Sequence, residues 1–67
     1  MDNKHIAIKN NYPFLMNRKQ AAQFLGIDPV SFDKYIRSND NLERFMIGRH
    51  ERYTKKSLIQ FIESQSV

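Results

Sequence analysis

The sequence predicts one small α+β domain built from three short helices and a two-stranded β-hairpin. Two observations carry that expectation. Helix starts at Asn17 and Asp28 lie so close together that the two helices must cross sharply, and short apolar segments flank the basic stretch Gly48-Arg49-His50-Glu51-Arg52-Tyr53. Length bounds the rest, since 67 residues make a single domain. A chain of that size buries only about 60% of its unfolded surface, so each core side chain matters.

Residues 1–13 show no periodicity and carry three Asn, two Lys and a His. They read as a polar arm in which Ile6 and Ile8 offer an added strand. Pro13 closes the arm, because proline disfavours helical backbone in the residue before it. The folded domain is expected over residues 14–67.

Asn17-Arg18-Lys19-Gln20 has the capping-box pattern, an N-cap residue followed three positions later by Gln. Ala21, Ala22, Phe24 and Leu25 continue it as one apolar stripe at helical spacing. Gly26 ends the helix, since glycine readily takes the left-handed backbone found there. Phe14, Leu15 and Met16 are placed to staple onto the stripe.

Asp28-Pro29 opens the second helix, with Asp as N-cap and Pro at the first helical position. So short a connection is that of a helix-turn-helix rather than a long antiparallel pair. At roughly 100° per residue, Phe32, Tyr35 and Ile36 centre on one inward direction. Val30, Lys34 and Arg37 fall nearly opposite, with Ser31 and Asp33 on the flanks. Ser38-Asn39-Asp40-Asn41 is a cluster of turn formers that stops the helix. Phe45-Met46-Ile47 then forms a strand, Gly48 starts the turn, and Arg52-Tyr53 begins the return. Thr54 caps a third helix whose stripe is Leu58, Ile59, Phe61 and Ile62.

Composition narrows the function classes. The net charge is +4 and the pI about 9.7, which favours an anionic partner. Residues 31–56 hold seven Lys/Arg against four acids, whereas residues 57–67 hold only Glu63. Without cysteine the chain has neither disulfides nor a thiolate zinc site. No apolar run approaches the ~20 residues that span a membrane, and the start Met-Asp-Asn-Lys-His lacks a secretory h-region. His5 and His50 stand far apart without carboxylates at ligand spacing. Two glycines leave no phosphate-cradling loop, and a domain this small has little room for a pocket. No catalytic residue, metal or cofactor is expected, and neither is a small-molecule substrate or a membrane.

Four groups of residues suit duplex DNA. The second helix presents Val30, Ser31, Asp33, Lys34 and Arg37; Arg and Lys can donate to guanine, and Val can touch a thymine methyl. The hairpin presents Arg49, His50 and Arg52, and arginine gains from the strong negative potential of a narrow minor groove. Side chains alternate along a strand, so Arg52 should face outward and Tyr53 the core. Asn17, Arg18 and Lys19 at the start of the first helix form a phosphate clamp. Lys55 and Lys56 oppose the dipole of the third helix, a conflict that a nearby phosphate relieves. An ordinary solvated surface accounts for the second-helix face, taken alone, better than DNA contact does, and for the start of the first helix equally well; the basic hairpin is harder to explain that way.

The run Leu15–Ile27 resembles the opening of the excisionase-type helix-turn-helix family, in which a capped "x-x-E-A-A-x-x-L-G-V" helix leads into a recognition helix. Gln20 stands at the position of that Glu. Phe32, Tyr35, Ile36 and Arg37 are similar to the family's "V-x-x-L-I-R", and Ile47–Tyr53 with Leu58 and Phe61 to its "V-G-x-x-x-R-Y" wing and closing helix. The likeness covers roughly residues 14–63 and implies a winged helix-turn-helix. It also implies an architectural role as a recombination directionality factor of a bacterial mobile element, acting in the cytoplasm on the nucleoid. Neighbouring copies on repeated double-stranded DNA sites would bend it and help an integrase assemble, without breaking bonds themselves. The same family includes DNA-binding halves of MerR-like transcriptional regulators, which is the first alternative. A protein-binding adaptor is the second, though charge at the hairpin argues against it because interface cores are depleted in charge.

Overall fold

The computed structural model describes residues 12–65, so the strand expected at Ile6 and Ile8 lies outside the described residues. Over that span the chain is a small α+β fold with three helices and a two-stranded antiparallel sheet. The first helix, α1, is Arg18–Leu25; the second, α2, runs as an α-helical turn Pro29–Ser31 and then as a π-helix Phe32–Arg37. Strands β1 (Phe45–Ile47) and β2 (His50–Arg52) follow, and α3 is Lys55–Ser64.

Each helix begins at a side-chain cap. Asn17 Oδ1 accepts from the Gln20 N–H at 2.8 Å, and Gln20 Oε1 accepts from the Asn17 N–H at 3.0 Å. Asp28 accepts from the Ser31 N–H at 3.1 Å and from its hydroxyl at 2.7 Å. Thr54 Oγ1 accepts from the Ser57 N–H at 3.0 Å, and Ser57 Oγ accepts in return from the Thr54 N–H at 3.1 Å. Caps of this kind are worth typically ~1 kcal/mol each. Gly26, at φ 79°, closes α1. Its N–H donates to Gln23 O and that of Ile27 to Ala22 O, both at 3.0 Å, the paired bonds of a Schellman ending.

The hairpin is tighter than the sequence suggests. Ile47 pairs with His50, so only Gly48 and Arg49 form the turn and the return strand starts at His50 rather than Arg52. Gly48 sits at φ 62°, and no non-glycine among the described residues has positive φ. That combination, glycine alone at the first central position, is what a type II′ hairpin turn requires. Beyond β2, Tyr53 makes an antiparallel bridge with Met16: the Met16 N–H donates to Tyr53 O at 2.8 Å and the Tyr53 N–H to Met16 O at 2.9 Å.

The core gathers Met16, Ala21, Ala22, Phe32, Leu42, Tyr53, Leu58 and Phe61, with Phe24, Leu25 and Ile36 packed against it. Phe32 meets the Tyr53 ring edge-on, centroids 5.3 Å apart and planes at 82°. Tyr53 therefore lies in the core, as strand alternation requires.

Three apolar placements depart from the sequence reading. Tyr35, expected inside, is 63% exposed. Hydrogen bonding in a π-helix spans i→i+5, so each turn holds more residues than an α-turn. Phe32 and Ile36 then stack over the core, and Tyr35 falls outside their line. Ile59 and Ile62 are also exposed, because α3 rests on the core through the narrower line Ser57, Leu58 and Phe61. Phe14 is 81% exposed while Met16 is fully buried: the bridge to Tyr53 seats Met16, and the chain bends at Phe14 and Leu15 before it.

These burials set the expected stabilities. Phe32→Ala should cost about 3–5 kcal/mol, which in a domain this small removes most of the folded population. Phe14→Ala should stay within about 0.5 kcal/mol of the parent. Urea unfolding followed by circular dichroism distinguishes the two.

Candidate nucleic-acid interface

A line of alternating charges crosses the face where α1, α2 and β2 meet. Arg18, in the first turn of α1, donates through Nε to both oxygens of Asp33 on α2, at 2.8 and 2.9 Å. Asp33 also lies 3.8 Å from Arg37 Nη1, one turn further along α2. Arg37 Nε reaches Glu51 Oε2 on β2 at 3.4 Å, and Arg44 Nη1 reaches the same oxygen at 3.3 Å. The order is therefore Arg18, Asp33, Arg37, Glu51, Arg44. Three residues assigned to DNA contact from the sequence are thus drawn together from two helices and joined to the hairpin.

Glu51 is the acceptor on which this end of the surface converges. The Tyr53 hydroxyl donates to its carboxylate as well. That bond first, and then the charges of Arg37 and Arg44, hold the Glu51 carboxyl below the usual carboxylate range. Burial first, and then donation to Glu51, push the Tyr53 hydroxyl up to about 12. Arg18 holds Asp33 low by its hydrogen bond, and Glu51 raises Arg37. Arg18, Asp33, Arg37 and Glu51 are therefore charged at neutral pH, and Tyr53 is neutral and donates.

Arg44 also ties down the loop between α2 and β1. Its Nη2 donates to Asn39 O at 2.8 Å and its Nε to Leu42 O at 3.4 Å. Asn39 Oδ1 accepts from the Asn41 N–H at 2.9 Å, a local turn that lets Leu42 drop into the core. Neither Glu51 nor Arg44 was singled out in the sequence. Glu51 had a findable signal: residues two apart on a strand share a face, which puts it on the side of Tyr53.

The remaining candidates are distributed as follows. On α2, Val30 is 70% exposed, and Lys34 reaches out over the Tyr35 ring, 5.3 Å from its centroid. The Ser31 hydroxyl is committed to Asp28. Arg49 and His50 are exposed at the hairpin turn. Half-buried Arg52 donates through Nη1 to Glu51 O at 2.9 Å. Asn17 uses its side-chain oxygen as the α1 cap, and Lys19 is exposed beside it.

Lys55 and Lys56 lie elsewhere, on an open groove of about 750 Å³ whose walls include Tyr12, Phe14 and Phe45. Its lining shares no residue with the ion-pair line. The groove is more concave surface than the sequence led one to expect. Its Thr54 hydroxyl oxygen is occupied as the α3 cap. Among the described residues no group of three or more His, Cys, Asp or Glu could hold a metal ion, and no helix is long and apolar enough to cross a membrane. No protein-family model, curated protein or solved structure matches the chain.

The pairing of Tyr53 with Glu51 gives a signed pH dependence. A raised tyrosine contributes stability that is complete below its ordinary value of 10.0 and is lost as pH rises through about 12. The lowered Glu51 contributes stability present above the ordinary carboxylate range and lost as pH falls through its lower folded value. Urea midpoints measured against pH should therefore decline at both ends. Tyr53→Phe should flatten the alkaline decline, and Glu51→Gln should shrink the acid one.

Proposed function

We propose that this protein is a double-stranded DNA-binding and DNA-bending factor of the winged helix-turn-helix kind, acting as an excisionase that assists an integrase in releasing a mobile element. The observation that carries this reading is the contact of Arg37 with Glu51. It joins the end of α2 to β2, which supports reading the exposed side of the helix and the basic turn of the hairpin as one surface. A helix fits the major groove, about 12 Å wide, and a two-residue hairpin tip fits the narrower minor groove.

On this reading Lys34 and Val30 meet base edges in the major groove, with Tyr35 beside them. Arg37 and Arg18 reach the flanking phosphates, and Arg49 and His50 enter the minor groove. Arg52, held against the backbone of β2, braces the hairpin. Two grooves gripped at once by a rigid pair of elements favour bent DNA, because the bend brings more phosphate within reach of the same side chains. The protein contributes no bond-breaking chemistry; the integrase supplies it. Lys55 and Lys56 join this interface only where the duplex curves back towards α3.

Binding to a random-sequence 20-base-pair duplex, followed by fluorescence anisotropy, tests the shared premise. The logarithm of affinity should fall linearly with that of salt, with a slope of about 0.9 per phosphate contacted. Arg49 makes no hydrogen bond or ion pair with the described residues. Arg49→Ala should accordingly weaken binding while leaving the thermal midpoint in place. Absence of binding at low salt overturns the proposal. Energy transfer between dyes at the two duplex ends reports the bend, and an unchanged end-to-end distance on saturation removes the architectural role.

A further inference from the structure

The ion-pair line has a property that DNA binding alone does not call for: every arginine in it already has a carboxylate. Arg18 is held by both Asp33 oxygens, and Arg37 lies between Asp33 and Glu51. Yet Arg18 and Arg37 remain 46% exposed and Asp33 35%. That exposure leaves these side chains open to a new acceptor. A carboxylate presents an arginine with the same kind of charged oxygen acceptor as a phosphate.

Resting on the DNA-binding reading above, we infer that Asp33 is an internal phosphate mimic that competes with the DNA backbone for Arg18 and Arg37. It acts as an affinity-setting residue that holds down binding to every duplex. An arginine must leave Asp33 before it can grip a phosphate, and that penalty is the same on every duplex. Only a site that adds base contacts from α2 offsets it. Glu51 differs, because it also accepts from Tyr53 and with Arg44 anchors the loop after α2. Asp33 is therefore the exchangeable carboxylate and Glu51 the structural one.

The test compares Asp33→Asn with Glu63→Gln, which raises the net charge equally but lies on α3, where it makes no ion pair with the described residues. The probe is a random-sequence 20-base-pair duplex titrated across salt concentrations. Asp33→Asn should bind this duplex several-fold more tightly than the parent, with a salt slope steeper by about one. Glu63→Gln should give a smaller gain and an unchanged slope. Equal effects of the two variants mean that net charge alone is at work and overturn the inference, as does an Asp33→Asn that binds no better than the parent. A parent chain that binds no duplex at low salt overturns the DNA-binding reading itself, which separates the two failures. A second measurement uses the unaltered chain and so does not depend on how the variants fold. The Nε–H resonance of Arg18, which donates to Asp33, should move when the duplex is added, and a resonance that stays in place under saturating duplex overturns the exchange.

Discussion

The two backbone hydrogen bonds between Met16 and Tyr53 tie the segment entering α1 to the strand leaving the hairpin, and the side chain of Tyr53 extends that tie in two further directions. Its ring stands edge-on to Phe32, which seats α2. Its hydroxyl donates to Glu51, which in turn holds Arg37 and Arg44. One residue thus sets the mutual positions of the helix pair, the hairpin and the loop between them. In a chain too short to build a deep core, this economy matters. The apolar ring supplies burial, and the polar end organises the surface directly above.

That arrangement gives the surface its character. The carboxylates of Asp33 and Glu51 sit between arginines rather than apart from them, so the basic face is ordered before any partner arrives. The same arrangement also fixes which cations are free. Lys34 and Arg49 stand unpaired by described carboxylates, whereas Arg18 and Arg37 must change partners to take a phosphate. The proposed division of labour between reading bases and gripping the backbone follows from that difference.

Much of the fold was legible in the sequence because its signals are local. Asn17 with Gln20, Gly26, Asp28 with Pro29, and Thr54 each act within a turn of chain, and each appears where expected. What was not legible depends on non-local or register effects. The π-helical course of Phe32–Arg37 turns Tyr35 outward, and no propensity in that stretch announces it. The two-residue turn follows from the backbone of Gly48 acting with the pairing of Ile47 and His50, so His50 and Glu51 belong to the strand. Two links of the ion-pair line, Arg18 to Asp33 and Arg37 to Glu51, span 15 and 14 positions of sequence, beyond the reach of any spacing rule. A basic surface could be read from composition, but its internal carboxylates could not be assigned to their arginines.

The central claim is that the exposed side of α2 and the hairpin turn form one surface that holds a DNA duplex. Amide chemical shifts recorded while a short random-sequence duplex is added test it most directly. Binding at that surface should move the resonances of residues 30–38 and 47–52 and leave those around Ile59 and Ile62 unchanged. Shifts confined to α3, or none at all under low salt, would contradict it.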